Sequence, residues 1–590
     1  MQCLYLFLIQ SETRFLGRLI MEKKLLIFIL ISFSLVSTAQ VPKKHLNADV
    51  AVFPKEMVKI FVNSDVALAG EALYYKISVL DGRKTPSDLS KIAYVSMRDE
   101  RDSIIFNHKL RLANGSANSD FFLPVQLKTG IYQLIGYTNF SRNNEDHPVD
   151  FKPIYVVNTF NDKQTNAERV DTVYVKNILS VPVDVLNGNV TSGSANIKID
   201  KSVFGLRQKV SVDLRDLHME TGKFLLSVRR INPMETKESL NAPKPQTSPN
   251  FFLPELRGEL LSGMVVSQEN ETPLANGNVA FTIPGKDFIL KISKTNHDGR
   301  FFISVPENYN VDKSVLQLME TGEDRNKYRI VMDDRELRLK DQPQHFLKFD
   351  PNLKDWLTER SVQIQIENAY FEKKQDSVIP LIPKEQFYDN LGTVYKLDDY
   401  TRFNTLRETF TEIIKLAAIR GTGLNTRFLV YNPYDPTGAG LFNNIAPLVL
   451  LDGTLIQDNE ALLEYNAKNI RSIRVVNLPY RYGSKLFSGI ISMESIKYDF
   501  LPPKSSSVEI LNQTPPVRSK ILFNNLSAPL TDRIPDYRVQ LLWKPNLNLQ
   551  DFDDGLFFYT SDVKGIYEIK LEGYSEEGKY IFSNKFIEVK

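Results

Sequence analysis

Hydrophobic and polar residues alternate along most of the chain, in short runs that are separated by glycine, proline and polar turns. Between residues 50 and 158 the runs include MVKIFVN, ALYYKISVLDG, KIAYVSMRDE and GIYQLIGYTN. Alternation with a period of two places successive side chains on opposite faces of a β-strand. The pattern therefore predicts a mainly β protein that is built from tandem antiparallel β-sandwiches.

Proline-rich and polar stretches divide these runs into blocks. The stretches 236–250 and 501–518 contain prolines and polar residues with few apolar ones, which is the composition of linkers. We expect a first sandwich over 48–160, a second over 168–235, a linker over 236–250, a third sandwich over 256–340, an α/β module over 355–500, a linker over 501–518 and a C-terminal sandwich over 519–590.

The α/β module interrupts the β pattern. Apolar residues between Leu406 and Ala417 recur at i, i+3 and i+4 spacing, which predicts an amphipathic helix. The segments PLVLL and SIRVV that follow are apolar enough to need burial on both faces of a sheet. The helix would cover one face, so we expect the other face, or the loop 479–484, to dock onto a neighbouring domain or a second protein.

The overall charge does not favour nucleic acid as a partner. Lysine and arginine number 73 against 71 aspartate and glutamate residues, which gives a formal charge of +2. No segment concentrates basic residues as a phosphate-binding surface requires. With 42% hydrophobic and 24% charged residues, the composition is that of a folded chain, and its length predicts several domains.

The N-terminal region has the order of a signal peptide over 21–39, with a positive patch, an apolar run over 25–36 and small residues that end at Ala39. This run is shorter than the ~20 residues that span a bilayer as a helix. We therefore expect cleavage, no transmembrane segment in the mature chain, and export to the periplasm, outer membrane or cell surface of a Gram-negative bacterium. Residues 1–20 indicate a mis-set start. The single cysteine, Cys3, precedes the cleavage point, so we expect no disulfide.

Residues with catalytic or metal-binding chemistry are scattered. No two of the six histidines lie within five residues of each other, whereas compact metal motifs pair them closely. The sequence contains neither a phosphate-binding glycine loop nor a nucleophile elbow. We therefore predict no catalytic residue, no cofactor and no metal site. Exposed aromatic residues often contact partners, and the loop 479–484 supplies the candidate partner-contact residues Tyr480, Arg481, Tyr482 and Gly483.

Two β segments resemble known domains. The first, FPKEMVKIFVNSDVALAGEALYYKISVLD with the closing KTGIYQLIGYT, resembles the macroglobulin-type sandwich of bacterial envelope proteins and implies tandem Ig-like or macroglobulin-like sandwiches. The second, GMVVSQENETPLANGNVAF followed by Asp298, Gly299 and Phe301, resembles the carboxypeptidase regulatory-like sandwich. That resemblance implies a hairpin at the Asp-Gly turn and an accessory domain without an active site.

The α/β module is similar to the plug domain of outer-membrane TonB-dependent receptors. The resemblance rests on a strand, an Asp-Gly turn, a short helix, a strand and a Tyr-Gly loop, within 447–453, 469–476, 482–484 and 489–493. Such a receptor closes about 22 membrane strands of ~9–11 residues, and 94 residues follow Ile496. We therefore expect a plug-like module that lacks the barrel, as in envelope proteins common in the Bacteroidetes group.

Three functions remain open at this point. The leading hypothesis is a non-enzymatic envelope binding or assembly protein, not itself a transporter, with an envelope protein such as an outer-membrane protein as its partner. The first alternative is a surface glycan- or protein-binding subunit that works with a separate outer-membrane barrel. The second alternative is a hydrolase whose catalytic residues are scattered along the sequence, which a cleft with converging histidines or carboxylates would favour.

Overall fold

The structure is a computed structural model, and its elements lie in one unit, Glu56–Lys590. The predicted signal peptide and the residues before it lie outside the described part of the chain. The described residues are 54–161, 171–177, 197–217, 220–236, 245–246, 251–306, 308–319, 322–340, 345–383, 385–434, 445–483, 485–550 and 555–590.

The first β-sandwich packs two sheets around one core. The sheets have the strand orders β1-β3-β6 and β2-β8-β7-β4-β5. Val58, Ile60, Tyr75 and Ile77 from one sheet meet Val95 and Leu134 from the other in the core. The strands are β1 Glu56–Val62, β2 Val66–Leu68, β3 Ala72–Asp81, β4 Ile92–Arg98, β5 Ile104–Arg111, β6 Ser116–Phe122, β7 Gly130–Tyr137 and β8 Asp150–Val157.

The next segment is split between two sheets. Its strands are β9 Asp171–Asn177, β10 Val203–Phe204, β11 Lys209–Val212, β12 Phe224–Arg230 and β13 Met234–Thr236. The strand β9 pairs with β13 and with a later strand, β20 (His345–Phe349). The strands β10 to β12 instead pair with the C-terminal end of the chain, as described below.

The third sandwich has sheets of order β17-β14-β19 and β16-β15-β18, and the later segment Val508–Asn512 adds a strand next to β18. The turn at Asp298 and Gly299 joins β16 to β17, but β16 pairs with β15 and β17 with β14. The prediction of a β-hairpin at this turn is therefore wrong, because the turn connects strands of two different sheets. The strands are β14 Glu259–Ser267, β15 Asn278–Ile283, β16 Ile289–Lys294, β17 Arg300–Val305, β18 Lys313–Leu318 and β19 Tyr328–Met332.

The α/β module follows a long helix, α1. Its main sheet has the order β22-β27-β30-β25-β26. The elements of this region are α1 Lys354–Ala369, β21 Ser377–Val378, β22 Thr393–Lys396, α2 Leu406–Glu412, β23 Ala417–Arg420, β24 Arg427–Val430, β25 Leu448–Leu451, β26 Thr454–Leu455, α3 Asn459–Leu463, β27 Ile470–Val476, β28 Tyr480–Tyr482, β29 Lys485–Phe487 and β30 Ile490–Ser495.

The predicted helix of this module is shorter than expected. It begins with a capping box between Thr405 and Glu408 and ends at Glu412, and Ala417 already belongs to strand β23. The chain is extended from Ala417 because Ala417–Arg420 pairs with Arg427–Val430 as an antiparallel strand. The helical prediction is thus right for the first two turns and wrong for the rest.

Burial of both faces of the module sheet is confirmed. Val449 and Leu451 of β25 lie in one core with Phe410 of α2 and Leu463 of α3. On the other face, Leu448, Leu450, Val476 and Ile490 lie in a second core with Ala280, Phe288, Leu290 and Met319 of the third sandwich. The neighbouring sandwich therefore covers the face that the helices leave open.

The C-terminal strands complete two earlier domains. They are β31 Val508–Asn512, β32 Lys520–Ile521, β33 Gln540–Leu547, β34 Leu556–Tyr559, β35 Gly565–Tyr574 and β36 Tyr580–Val589. Strand β31 lies within the predicted linker 501–518 and extends the sheet of the third sandwich by pairing with β18. The linker prediction is wrong there, because the segment is paired with β18 and Leu511 packs against the core of the third sandwich.

The last block does not form a sandwich of its own. Strand β12 lies between β33 and β35 in a sheet of order β10-β36-β35-β12-β33, and β11 pairs with β34. Phe224 and Val228 share a core with Ile569 and Leu571. The expectation of separate sandwiches over 168–235 and 519–590 is corrected, because each segment supplies only part of one core. We call this two-part domain the composite sandwich.

The remaining domain boundaries stay predictions, whereas the mainly β architecture is confirmed by these sheets. In the described part of the chain, no helix combines the length and apolarity that crossing a bilayer requires.

Candidate functional site

The predicted partner-contact loop is a hairpin of strands β28 and β29. Tyr480 pairs with Phe487, and Tyr482 pairs with Lys485. Both tyrosine side chains are half-buried, whereas Arg481 and Gly483 are exposed. The hairpin thus presents different residues to its two sides.

The two tyrosines face inward. The hydroxyl of Tyr480 donates to the carbonyl oxygen of Phe387 at 3.1 Å, and that of Tyr482 donates to the carbonyl oxygen of Leu290 at 2.5 Å. The ring centroids of Phe387 and Tyr482 are 4.4 Å apart. Burial raises the pKa of Tyr482 to about 12, and Tyr480 adds to the shift. The hydrogen bond of Tyr482 therefore joins the module to the third sandwich, and that of Tyr480 holds the hairpin to the module itself. A partner contact at this loop stays a prediction.

We expect the double variant Tyr480→Ala and Tyr482→Ala to fold with a lower melting temperature. The change removes two hydrogen bonds and the packing against Phe387, a loss of about 2 kcal/mol for half-buried side chains. Differential scanning calorimetry measures the shift. The control is Tyr434→Ala, because Tyr434 is 84% exposed and should leave the melting temperature unchanged. Equal melting of the double variant and wild type would show that the hairpin does not stabilise this contact.

Buried charges also join the first and third sandwiches. Lys109 Nζ lies 2.6 Å from Glu259 Oε2, and Arg335 lies 2.8 Å from Glu259 Oε1. Glu255 accepts hydrogen bonds from the Tyr94 hydroxyl at 3.2 Å and from the main chain, and burial raises its pKa to about 7. Each of these charged groups has a partner in the network. We therefore interpret the network as a structural contact that stabilises the packing of the first sandwich against the third.

A cleft lies where the first sandwich, helix α1 and the composite sandwich meet. We call it the α1 cleft. Its volume is about 820 Å³, within the range of ligand-binding pockets. Its lining residues come from β3 and β6 of the first sandwich, from α1 and the segment after it, and from β12, β32 and β33. The cleft thus depends on segments that are far apart in the sequence.

Several cations of the α1 cleft are held by acidic partners. Lys374 Nζ lies 2.7 Å from Glu367 and donates to the carbonyl oxygen of Pro535 at 2.6 Å. Arg538 donates to both carboxylate oxygens of Asp536 at 2.7 Å. These pairs use most of the available donors and fix the walls of the cleft.

Two arginines share one carboxylate on the cleft floor. Arg360 of α1 lies 2.8 Å from Glu71 and also donates to Gln363 and to the carbonyl oxygen of Tyr537, both at 3.1 Å. Burial alone would raise the pKa of Glu71, but the charges of Arg360 and Arg229 outweigh burial and hold this pKa below its ordinary value. Glu71 is therefore ionised and neutralises only one of the two guanidinium groups.

Arg229 of β12 is the cation with unused donors. Among the described residues its side chain has one hydrogen-bond acceptor, Glu71 Oε2, at 3.4 Å. A guanidinium carries five N–H donors, and charge-assisted bonds to carboxylates are usually 2.7–2.9 Å long. The side chain is 13% exposed. Arg229 thus places a partly unsatisfied positive charge in the lining of the cleft.

Negative charge is in excess at another part of the lining. Lys520 Nζ lies 2.9 Å from Asp120 and 3.8 Å from Asp376, so one cation serves two carboxylates. Burial raises the pKa of Asp376, and the charge of Asp120 adds to this shift. Burial raises the pKa of the Tyr74 hydroxyl. The negative charges of Asp376 and Asp120 add to this increase, whereas the positive charge of Arg229 opposes it. The α1 cleft therefore has a positive region at Arg229 and a negative region at Asp120 and Asp376.

Three apolar side chains of the cleft lining are exposed to solvent. Phe122 is 47%, Phe371 57% and Val378 48% exposed. Exposed apolar side chains that lie together among polar residues are a mark of protein-interaction sites. We call these residues the apolar rim.

Sequence reasoning missed the α1 cleft. The available signal was Arg229, which follows Leu225 and Ser227 on one face of a strand whose other face carries Phe224, Leu226 and Val228. Charged residues are rare on strands that are buried on both faces. That pattern marks an unusual arginine, but it does not reveal what the arginine faces. In the described part of the chain, no group of three or more His, Cys, Asp or Glu residues is placed to hold a metal ion.

Comparisons with known proteins give no family. No protein-family model and no curated protein sequence matches the chain. Solved structures with partial similarity include a Salmonella alpha-2-macroglobulin reacted with methylamine, at 10% identity and a TM-score of 0.22, covering 91% of this chain and 39% of that one. A trypsin-activated alpha-2-macroglobulin from Escherichia coli shares 8% identity at a TM-score of 0.22, covering 91% and 41%.

A beta-glucosidase from Listeria innocua also matches, at 15% identity and a TM-score of 0.12, over 18% of this chain and 16% of that one. The chain spans about two fifths of the length of the two macroglobulins. Similarity at these TM-scores is too low to assign either the fold or the function of these proteins to this chain.

Proposed function

We propose that the chain is a non-enzymatic binding or assembly protein of the cell envelope that holds a partner in the α1 cleft. The observation that carries this proposal is the contrast between two surfaces. Both faces of the plug-like module sheet are covered by its own helices and by the third sandwich. The α1 cleft, in contrast, combines an apolar rim with an arginine that has unused donors.

The envelope location is supported by the signal-peptide pattern over 21–39. The binding role is supported by the way in which the charged groups of the cleft are used. Most of them hold each other across the boundary between domains, as Arg360 holds Glu71, which lies 289 positions away in the sequence. Such pairs fix a preformed surface, and preformed surfaces bind partners with little loss of conformational entropy.

A photo-crosslinking residue at position 371 tests the proposal in intact cells. We expect a crosslinked adduct with one envelope protein, identified by mass spectrometry, and the same adduct from position 378. The matched control is position 302, because Phe302 is 41% exposed but lies on β17 of the third sandwich. Equal adducts from positions 371 and 302, or none from 371 and 378, would contradict the proposal. An outer-membrane barrel protein as the adduct would favour the alternative of a subunit that serves a separate barrel.

A hydrolase remains the second candidate because of Asp120 and Asp376. The two carboxylates flank Lys520, and the raised pKa of Asp376 is a property of general acids. Their shared ion pair with Lys520 favours a structural role. Hydrolysis of a peptide or glycoside substrate that Asp376→Asn abolishes without loss of folding would establish the enzyme instead.

A further inference from the structure

The electrostatics of the α1 cleft restrict the kind of ligand that it fits. Arg229 offers donors to an anion, but Asp120 and Asp376 leave a negative charge in excess in the same cleft. A simple anion such as phosphate would be attracted by the first group and repelled by the second. A ligand that carries both an acceptor and donors matches both ends.

A second unpaired group lies beside Arg229. Gln540 of β33 is the register partner of Arg229 and also lines the cleft. Gln540 is 4% exposed, and its Oε1 atom has no hydrogen-bond donor among the described residues. Its Nε2 atom is engaged, because it donates to the carbonyl oxygens of Val228 and Leu542. A buried acceptor without a partner thus lies behind the lining, on the residue that pairs with Arg229.

From these groups we infer that the α1 cleft binds an extended peptide segment of a partner protein, with a carboxylate of the peptide at Arg229 and apolar side chains on the apolar rim. This inference rests on the proposed function and adds the chemical class of the ligand. A peptide supplies a carboxylate for Arg229, N–H donors for Asp376, and apolar side chains for Phe371 and Phe122. Arginine clusters recognise acidic motifs in peptides by this chemistry.

Panning a random heptapeptide display library against the full chain tests the inference. We expect enriched peptides to share an acidic residue that is flanked by apolar residues. Arg229→Gln should weaken binding of a synthesised enriched peptide about tenfold or more, as loss of a charge-assisted hydrogen bond predicts. Arg229→Lys should retain part of the affinity because it keeps the charge. Glutamine in place of the peptide's acidic residue, and an amide in place of its C-terminal carboxylate, distinguish the two sources of the carboxylate.

Two further variants control for folding. Phe371→Ala changes an exposed rim residue and should weaken peptide binding several-fold without changing the melting temperature. Arg83→Gln changes an arginine that is 85% exposed and lies outside the cleft lining, so it should bind like wild type. The inference is wrong if no peptide is enriched, if the enriched peptides lack an acid, or if Arg229→Gln binds them as tightly as wild type.

Inorganic phosphate tests whether the α1 cleft is a simple anion site instead of a peptide-binding site. Binding of phosphate that depends on Arg229, in the absence of peptide binding, would identify a simple anion site and overturn the inference. Crosslinking at positions 371 and 378 without carboxylate-dependent peptide binding would leave the proposed function standing and remove only the assignment of the ligand. The two experiments therefore fail independently.

Discussion

Gly453→Ala is expected to destabilise the protein by about 2–5 kcal/mol. Gly453 follows Asp452 in the two-residue turn between β25 and β26, with φ of +81°. A Cβ atom there would overlap the ring of Phe288 from the third sandwich. Forced overpacking in a core costs roughly 1–3 kcal/mol and a left-handed alanine about 1–2 kcal/mol. Both costs arise at the contact between the module and the third sandwich, and thermal or urea unfolding measures their sum.

Gly423→Ala is the matched control because it separates strain from overlap. Gly423 has φ of +58°, and a Cβ atom there would meet no other atom within 4 Å. The control should therefore cost only the strain of the left-handed backbone. In a Phe288→Ala background, Gly453→Ala should cost much less than in wild type, because the overlapping ring is absent. Equal losses for Gly453→Ala and Gly423→Ala would show that the two domains are not packed at Phe288.

The turn at Asp452 and Gly453 also shows which features a sequence predicts well. A type I′ turn requires positive φ at both central positions, which an Asp-Gly pair favours, and Asp452 and Gly453 have φ of +50° and +81°. The unbroken apolar run of β25 likewise predicted that both faces of this strand are buried, and they are. These predictions succeeded because they depend on neighbours that lie a few residues away.

Long-range pairing was not predictable in the same way. Strand β12 is a mostly apolar run that is buried on both faces. Nothing within it specifies that its partners are β33 and β35, more than 300 positions later. The Asp298-Gly299 turn has the same local signal as the Asp452-Gly453 turn, yet it joins two different sheets. Turn chemistry therefore specifies the local bend but not the strand that each arm selects.

The candidate site depends even more on assembly. Arg229, Glu71 and Arg360 lie on three different domains or connecting segments, and their ion pairs form only after these elements meet. The hairpin tyrosines were predicted to contact a partner, and that role stays a prediction, whereas the structure shows their hydroxyl groups bonded within the chain. Leu290, the partner of Tyr482, belongs to the third sandwich, so this bond forms only when the two domains pack together.

Lys76 should make the protein more stable as the pH rises above 7. Lys76 of β3 is fully buried where the first sandwich meets the composite sandwich, and its ammonium donates to the carbonyl oxygen of Lys223. Burial lowers its pKa to about 7, although the charge of Glu572 opposes the shift. In the unfolded chain the pKa is about 10.4. Between these values the unfolded state binds more protons, so stability rises with pH by about 1.4 kcal/mol for each pH unit.

Lys76→Met removes this dependence, and we expect the variant to be more stable than wild type at pH 7 by roughly 2–4 kcal/mol. The gain arises because methionine fills the same space without a buried charge. Urea unfolding of both proteins at pH 7, 8 and 9 measures the difference, which should shrink as the pH rises because neutral lysine costs less to bury. Other groups titrate equally in both proteins, so their contributions cancel in the difference. Lys313→Met, at an exposed lysine, should remain close to wild type at every pH, and a constant difference for Lys76→Met would mean that Lys76 keeps its proton in the folded protein.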